Sequence, residues 1–108
     1  MRNLSKVILY LADASTTVSS DPIDCSQIYA TSLQAKFSDV SLAGTFKLQA
    51  SNDLNTPSNW SDVATASVAS GALTLIPMTQ LSYQWIRATF VPSAGTGTIN
   101  VNINSQGF

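Results

Sequence analysis

Apolar and polar residues alternate with a period of two along most of this chain, the pattern of β-strands that turn one face to a core and the other to water. The stretch GTFKLQAS puts Phe46, Leu48 and Ala50 on one side and Thr45, Lys47, Gln49 and Ser51 on the other. TINVNIN does the same with Ile99, Val101 and Ile103 against Asn100, Asn102 and Asn104. Over residues 27–37, Tyr29, Leu33, Ala35 and Phe37 share one face while Ser32, Gln34 and Lys36 share the other. YQWIRATFV sets Ile86, Ala88 and Phe90 opposite Tyr83, Trp85, Arg87 and Thr89. Weaker strands are predicted over 60–66 and over 72–78, where Pro77 fits a sheet edge or a strand end because it has no N–H to give to a ladder. At the start of the chain Val7, Leu9 and Leu11 alternate with Ile8, Tyr10 and Ala12, all apolar or aromatic, so this first strand is expected to be buried on both faces.

Clusters of turn-forming residues separate these runs: ADASTTVSSDP, SDVSLAG, NDLNTPSN, SVASG and PSAGTG. Seven or eight strands in 108 residues leave no room for parallel crossovers, each of which takes about a dozen residues. The expected architecture is therefore all-β, an antiparallel β-sandwich with jelly-roll-like connections, forming one domain over residues 1–108. The Gly95-Thr96-Gly97 step is expected to be a hairpin turn, since no helix or lysine follows to make it a phosphate loop.

Composition narrows the chemistry. Only 10% of the residues are charged and the formal net charge is −1, so the surface must be polar but nearly uncharged. Arg2, Lys6, Lys36, Lys47 and Arg87 are scattered singly, which argues against binding nucleic acid. A surface with so little charge repulsion suits a protein that sits against copies of itself or a larger assembly. The single Cys25 excludes an internal disulfide and reads as a small buried hydrophobe. The apolar run 7–12 is too short for a signal peptide, and no run approaches a membrane span, so the chain is expected to be an intact product of the cytoplasm.

Catalytic groups are scarce. There is no histidine and no glutamate, which removes histidine-dependent triads and histidine-ligated zinc. Asp13, Asp21, Asp24, Asp39, Asp53 and Asp62 fall nearly all in predicted turns, where aspartate caps its own backbone. No enzyme activity and no cofactor are expected. Calcium is the one metal to weigh, through the oxygen-bearing side chains of Asn52, Asp53, Asn55 and Asp62, although their spacing matches no EF-hand. The triplets Asn3-Leu4-Ser5 and Asn59-Trp60-Ser61 have the form of glycosylation acceptors, which have no consequence without secretion. Trp60, Trp85, Tyr29 and Tyr83 could stack on a sugar, but aromatic residues in a small sandwich more often pack within it.

The segments GTFKLQASND, NWSDV and YQWIRATFVPSAGTGTINVNI resemble small virion-associated β-sandwich proteins of bacteriophages, and their arrangement also looks like the core of discoidin-type galactose-binding sandwiches. The resemblance covers residues 44–108. It implies that Ser51, Asn52 and Asp53 form a turn, that Trp60 anchors it from beneath, and that Arg87 is a polar group on a strand face. It further implies a non-enzymatic structural protein of the virion, such as a capsid decoration or cement protein or a minor coat or tail accessory, with capsid or tail proteins and copies of itself as partners. Val7, Leu9, Leu11 and Phe108 are the expected contact residues. The alternative is a carbohydrate- or host-receptor-binding module using Asn52, Asp53, Asn59, Trp60 and Trp85, and a sandwich with no partner is the third reading.

Overall fold

The computed structural model describes residues 2–24, 28–52, 59–71, 74–80 and 83–107. Its strands in chain order are β1 (Arg2–Asp13), β2 (Val18–Ser19), β3 (Ile23–Asp24), β4 (Ile28–Phe37), β5 (Ala43–Ser51), β6 (Ser61–Val68), β7 (Thr74–Gln80), β8 (Trp85–Ala94) and β9 (Thr98–Gly107). They form two antiparallel sheets. The first has the order β1-β9-β4-β7 and the second β2-β8-β5-β6, with β3 also paired to β8. Only β2–β3 and β5–β6 join strands of the same sheet; every other connection passes from one sheet to the other, which is the wrapping of a jelly roll. Pro77 lies in β7, an edge of the first sheet, where its missing N–H costs no ladder bond to a further neighbour.

Periodicity alone missed β2 and β3, two-residue strands inside the predicted turn ADASTTVSSDP. Val18 and Ser19 stand opposite Phe90 and Thr89, and Ile23 and Asp24 stand opposite Ile86 and Trp85. They are therefore two halves of one edge strand, broken at Ser20-Asp21-Pro22. Ser20 bridges the break: its N–H donates to the Ala88 carbonyl at 2.8 Å and its buried hydroxyl oxygen accepts the Ala88 N–H at 2.9 Å. A side chain thus completes the ladder just before a proline ends it. Counted as one, the two halves give the eight strand positions of a jelly roll.

The core lies between the sheets. Leu33, Ala35, Ile76, Ile99, Val101 and Ile103 come from the first and Phe46, Leu48, Ala50, Val68, Ile86, Ala88 and Phe90 from the second, all buried. Phe37 and Phe90 meet across the gap with ring centroids 5.0 Å apart and planes inclined at 54°, a favoured tilted packing. Thr31 and Ser105 are the fully buried polar exception within the first sheet. The Thr31 hydroxyl donates to the Asn104 carbonyl at 3.3 Å, so its 2.9 Å contact with Ser105 must use the serine proton.

Two expectations are corrected. The first strand is not buried on both faces: Val7, Tyr10 and Leu11 are exposed, while Ile8, Leu9 and Ala12 are the residues that pack against the core. The cause is position, because β1 is an edge strand with register shifts between Val7 and Leu9 and between Leu9 and Ala12 that break the simple alternation. Nor is Gly95-Thr96-Gly97 a hairpin turn, since it carries the chain from β8 in one sheet to β9 in the other. Both glycines have positive φ, 87° at Gly95 and 147° at Gly97. A Cβ on Gly95 would lie 2.2 Å from the carbonyl oxygen of Ser41.

Gly95→Ala therefore combines a left-handed backbone penalty of roughly 1–2 kcal/mol with a backbone collision. Urea unfolding should show a loss of stability of at least that size, while Ser93→Ala on exposed backbone nearby leaves the midpoint in place.

Candidate functional site

Three surfaces carry the polar and exposed apolar groups: the outer face of the second sheet, the outer face of the first, and the β1 flank.

On the second sheet, Gln49 of β5 stands opposite Asp62 of β6 on one side and Arg87 of β8 on the other. Its amide N–H₂ donates to Asp62 Oδ1 at 2.9 Å, and its carbonyl accepts Arg87 Nε at 2.8 Å and the Thr89 hydroxyl at 2.9 Å. Since Thr89 spends its one proton on Gln49, the Ser19 hydroxyl must donate in the 2.9 Å Ser19–Thr89 contact. Lys47 closes the chain on Asp62 Oδ2 at 3.1 Å. The network runs across four strands of the sheet, from β2 through β8 and β5 to β6, and fixes the Gln49 amide orientation through its partners. Hydrogen bonds from Gln49 first and Lys47 second hold the Asp62 carboxyl below its ordinary value near 3.8. Burial presses the Arg87 guanidinium below its own ordinary value, although arginine stays cationic throughout the physiological range.

The residues of the expected ligand loop gather at one end of this sheet. Asn52 Oδ1 accepts the N–H of Gln84 at 2.9 Å, which ties the end of β5 to the start of β8. Trp85 is partly buried and stands opposite Ser51 and Asp24 in the ladders. Asn59 is exposed. Trp60 is only partly buried, and Arg87 lies over its ring at 4.4 Å from the centroid, so a cation–π contact covers one face of the indole. Trp60 thus differs from the expected covered anchor, because it stands beside an outer-face cation and not between the sheets. Asp53 and Asn55 lie outside the described residues, as does Phe108. Of the other calcium candidates, Asn52 already accepts from Gln84 and Asp62 from Gln49 and Lys47. Asp62 and Asp24 also prove to be strand residues, whereas Asp13, the last residue of β1, and Asp39 do cap turns, each accepting the N–H two residues on, from Ser15 at 2.9 Å and Ser41 at 2.8 Å.

The outer face of the first sheet forms an open groove of about 480 Å³ lined by Ser5, Lys6, Val7, Ser32, Gln34, Leu75, Asn102, Ile103 and Asn104. One cross-strand row passes through all four strands: Val7 opposite Asn102, Asn102 opposite Gln34, and Gln34 opposite Leu75. In the next row Ser5 and Ser32 flank Asn104, and the Ser5 hydroxyl donates to Asn104 Oδ1 at 3.1 Å. The sequence shows Asn100, Asn102 and Asn104 as one solvent face, but nothing in it places Gln34, Ser5 and Leu75 beside them. That juxtaposition comes from the wrapping of the chain.

On the β1 flank, Leu11 has a positive φ of 49° and its N–H donates to Asn100 Oδ1 at 2.6 Å. Its side chain is 57% exposed, beside Tyr10 at 73% and with Val7 at 53% farther along the strand. Leu9, by contrast, is partly buried against the core.

With this geometry in place, comparison with known proteins is informative about fold. No protein-family model matches the chain, and no curated protein sequence matches it. The PBSX exported protein XepA superposes with a TM-score of 0.77 at 18% identity, over 97% of this chain and 37% of XepA. The SPBc2 prophage-derived protein YomS gives a TM-score of 0.56 at 9% identity, over 96% of this chain and 92% of YomS. Chitosan-binding module 1 of a chitosanase/glucanase from Paenibacillus sp. IK-5 gives 0.51 at 20% identity, over 83% of this chain and 76% of the module. The β-sandwich is shared with all three. The chain corresponds in length to little more than a third of XepA.

The depressed Asp62 carboxyl gives a pH dependence with a definite sign. A carboxyl held below its unfolded value contributes stability above that value and loses it as pH falls through the folded one. Thermal unfolding should therefore be insensitive to pH near neutrality and decline below about pH 4, and Asp62→Asn should weaken that decline. Asp13 and Asp39, lowered by their bonds from Ser15 and Ser41, should sustain the remainder.

Proposed function

We propose that this domain is a non-enzymatic structural module of a phage particle, acting through protein contacts made by the β1 flank with copies of itself and with capsid or tail proteins. The observation that carries this reading is Leu11. A left-handed backbone costs a β-carbon-bearing residue about 1–2 kcal/mol, and glycine or asparagine would occupy the position more cheaply. An aliphatic side chain held there in water, next to an exposed tyrosine, does nothing for the isolated domain, and such strain points to a purpose outside it. The bulges that displace Tyr10 and Leu11 also break the regular row of free backbone groups along the edge, so recognition rests on side chains more than on strand addition.

The shared fold of XepA and YomS supports a phage setting, and on this proposal the domain is carried on the virion. The lack of histidine and glutamate supports a role without catalysis.

Leu11→Gly separates assembly from folding. Removing the left-handed penalty is offset by the greater unfolded-state freedom of glycine, roughly 0.5–1 kcal/mol, so the melting temperature should stay within a few degrees. Light scattering should show the wild-type chain above its monomer mass and the variant reduced toward it, and quantitative mass spectrometry of purified particles should find the wild type in fixed proportion to the coat. A strictly monomeric wild type that is also missing from particles refutes the reading.

A further inference from the structure

We propose that the outer face of the first sheet is a binding site for a neutral, hydroxyl-rich polysaccharide, independent of whether the β1 flank assembles. The row Val7–Asn102–Gln34–Leu75 reads apolar, amide, amide, apolar across the full width of the sheet, about 14 Å at ordinary strand spacing. Val7 and Leu75 are 53% and 59% exposed. Between them, the Asn102 and Gln34 carboxamides make no side-chain hydrogen bond among the described residues, so each offers two donors and an acceptor to a ligand. The neighbouring amides are oriented for the same purpose. Asn104 and Asn100 use their carbonyls internally, accepting from the Ser5 hydroxyl and the Leu11 N–H, which leaves their N–H₂ groups as donors.

This chemistry selects the ligand. The centre of this groove is a pair of unengaged amides that would lose their water without compensation against an apolar surface. A sugar hydroxyl both donates and accepts, so adjacent hydroxyls can satisfy adjacent carboxamides, while the C–H faces of the rings lie against Val7 and Leu75. Charge decides between kinds of polysaccharide. Among the described residues no carboxylate lines the groove and the one charged lining residue is Lys6, with Lys36 on the same face of β4, so nothing described there attracts a polycation such as chitosan. Two separated lysines do not make the dense basic surface that a polyanion requires.

Affinity electrophoresis tests this with starch, a mixed-linkage β-glucan, a galactomannan and chitosan cast separately into native gels. At least one of the three neutral polymers should retard the wild-type protein. Gln34→Ala combined with Asn102→Ala should weaken that retardation roughly tenfold. Thr65→Ala, exposed on the second sheet, should leave it unchanged, and unaltered urea midpoints would show that all the variants fold. Mobility unaffected by every neutral polymer, retardation that survives the double substitution, or stronger retardation by chitosan than by any neutral polymer would each overturn the assignment.

Discussion

Much of this molecule depends on one close backbone contact. The segment 38–42, which carries the chain from β4 to β5, is gripped from two sides by other crossings between the sheets. A Cβ on Gly71 would come within 2.2 Å of the Asp39 carbonyl oxygen, and one on Gly95 equally close to that of Ser41. Gly71 also donates its N–H to the Leu42 carbonyl at 2.7 Å, and Ala14 donates to the Gly97 carbonyl at 2.9 Å. Four connections therefore meet at one end of the sandwich, backbone against backbone, with Leu42 and Ala14 fully buried as the plug that closes the core there. Because consecutive strands mostly lie in opposite sheets, the relative placement of β1, β9, β4 and β7 depends on these crossings holding their geometry.

The two outer faces that result are chemically different. On the second sheet the polar side chains satisfy one another, from Ser19 through Thr89 and Gln49 to Asp62 and Lys47, and Arg87 lies both against Gln49 and over Trp60. Such a face is internally spent and stiff. On the first sheet Gln34 and Asn102 are left open to solvent between two apolar margins. A surface suited to recognition lies opposite one suited to holding the sheet together, and the fold keeps them on opposite sides of a shared core.

The sequence made the inward rows legible, because Phe46, Leu48 and Ala50 or Ile99, Val101 and Ile103 repeat every second residue and burial enforces that repeat. The paired sheets followed from the same signal, and the missing N–H of Pro77 allowed a sheet edge or a strand end, of which the structure has the edge. What stayed hidden depended on tertiary partners. β2 and β3 are too short to show a period, and their pairing rests on the hydroxyl of Ser20. The reversal at Leu11 is set by Asn100, a residue far away in the chain, so an apolar run looked like a doubly buried strand when its outer residues face water. Trp60 looked like an anchor because tryptophan usually is one, and only the position of Arg87 shows its ring engaged on an outer face. The groove was illegible for the same reason: Val7, Gln34, Leu75 and Asn102 are neighbours only through three separate ladders.

The interrupted strand at the margin of the second sheet has a consequence for solubility. A β-sandwich with little charge has few means of discouraging its flanks from zipping together into ribbons. Here the stretch from Val18 to Asp24 offers an incoming strand at most two consecutive residues before Ser20 turns its hydroxyl inward and Pro22 supplies no donor. Runaway stacking through that margin is cut off by geometry alone, so the chain can dispense with the lysines that other sheets station along their rims.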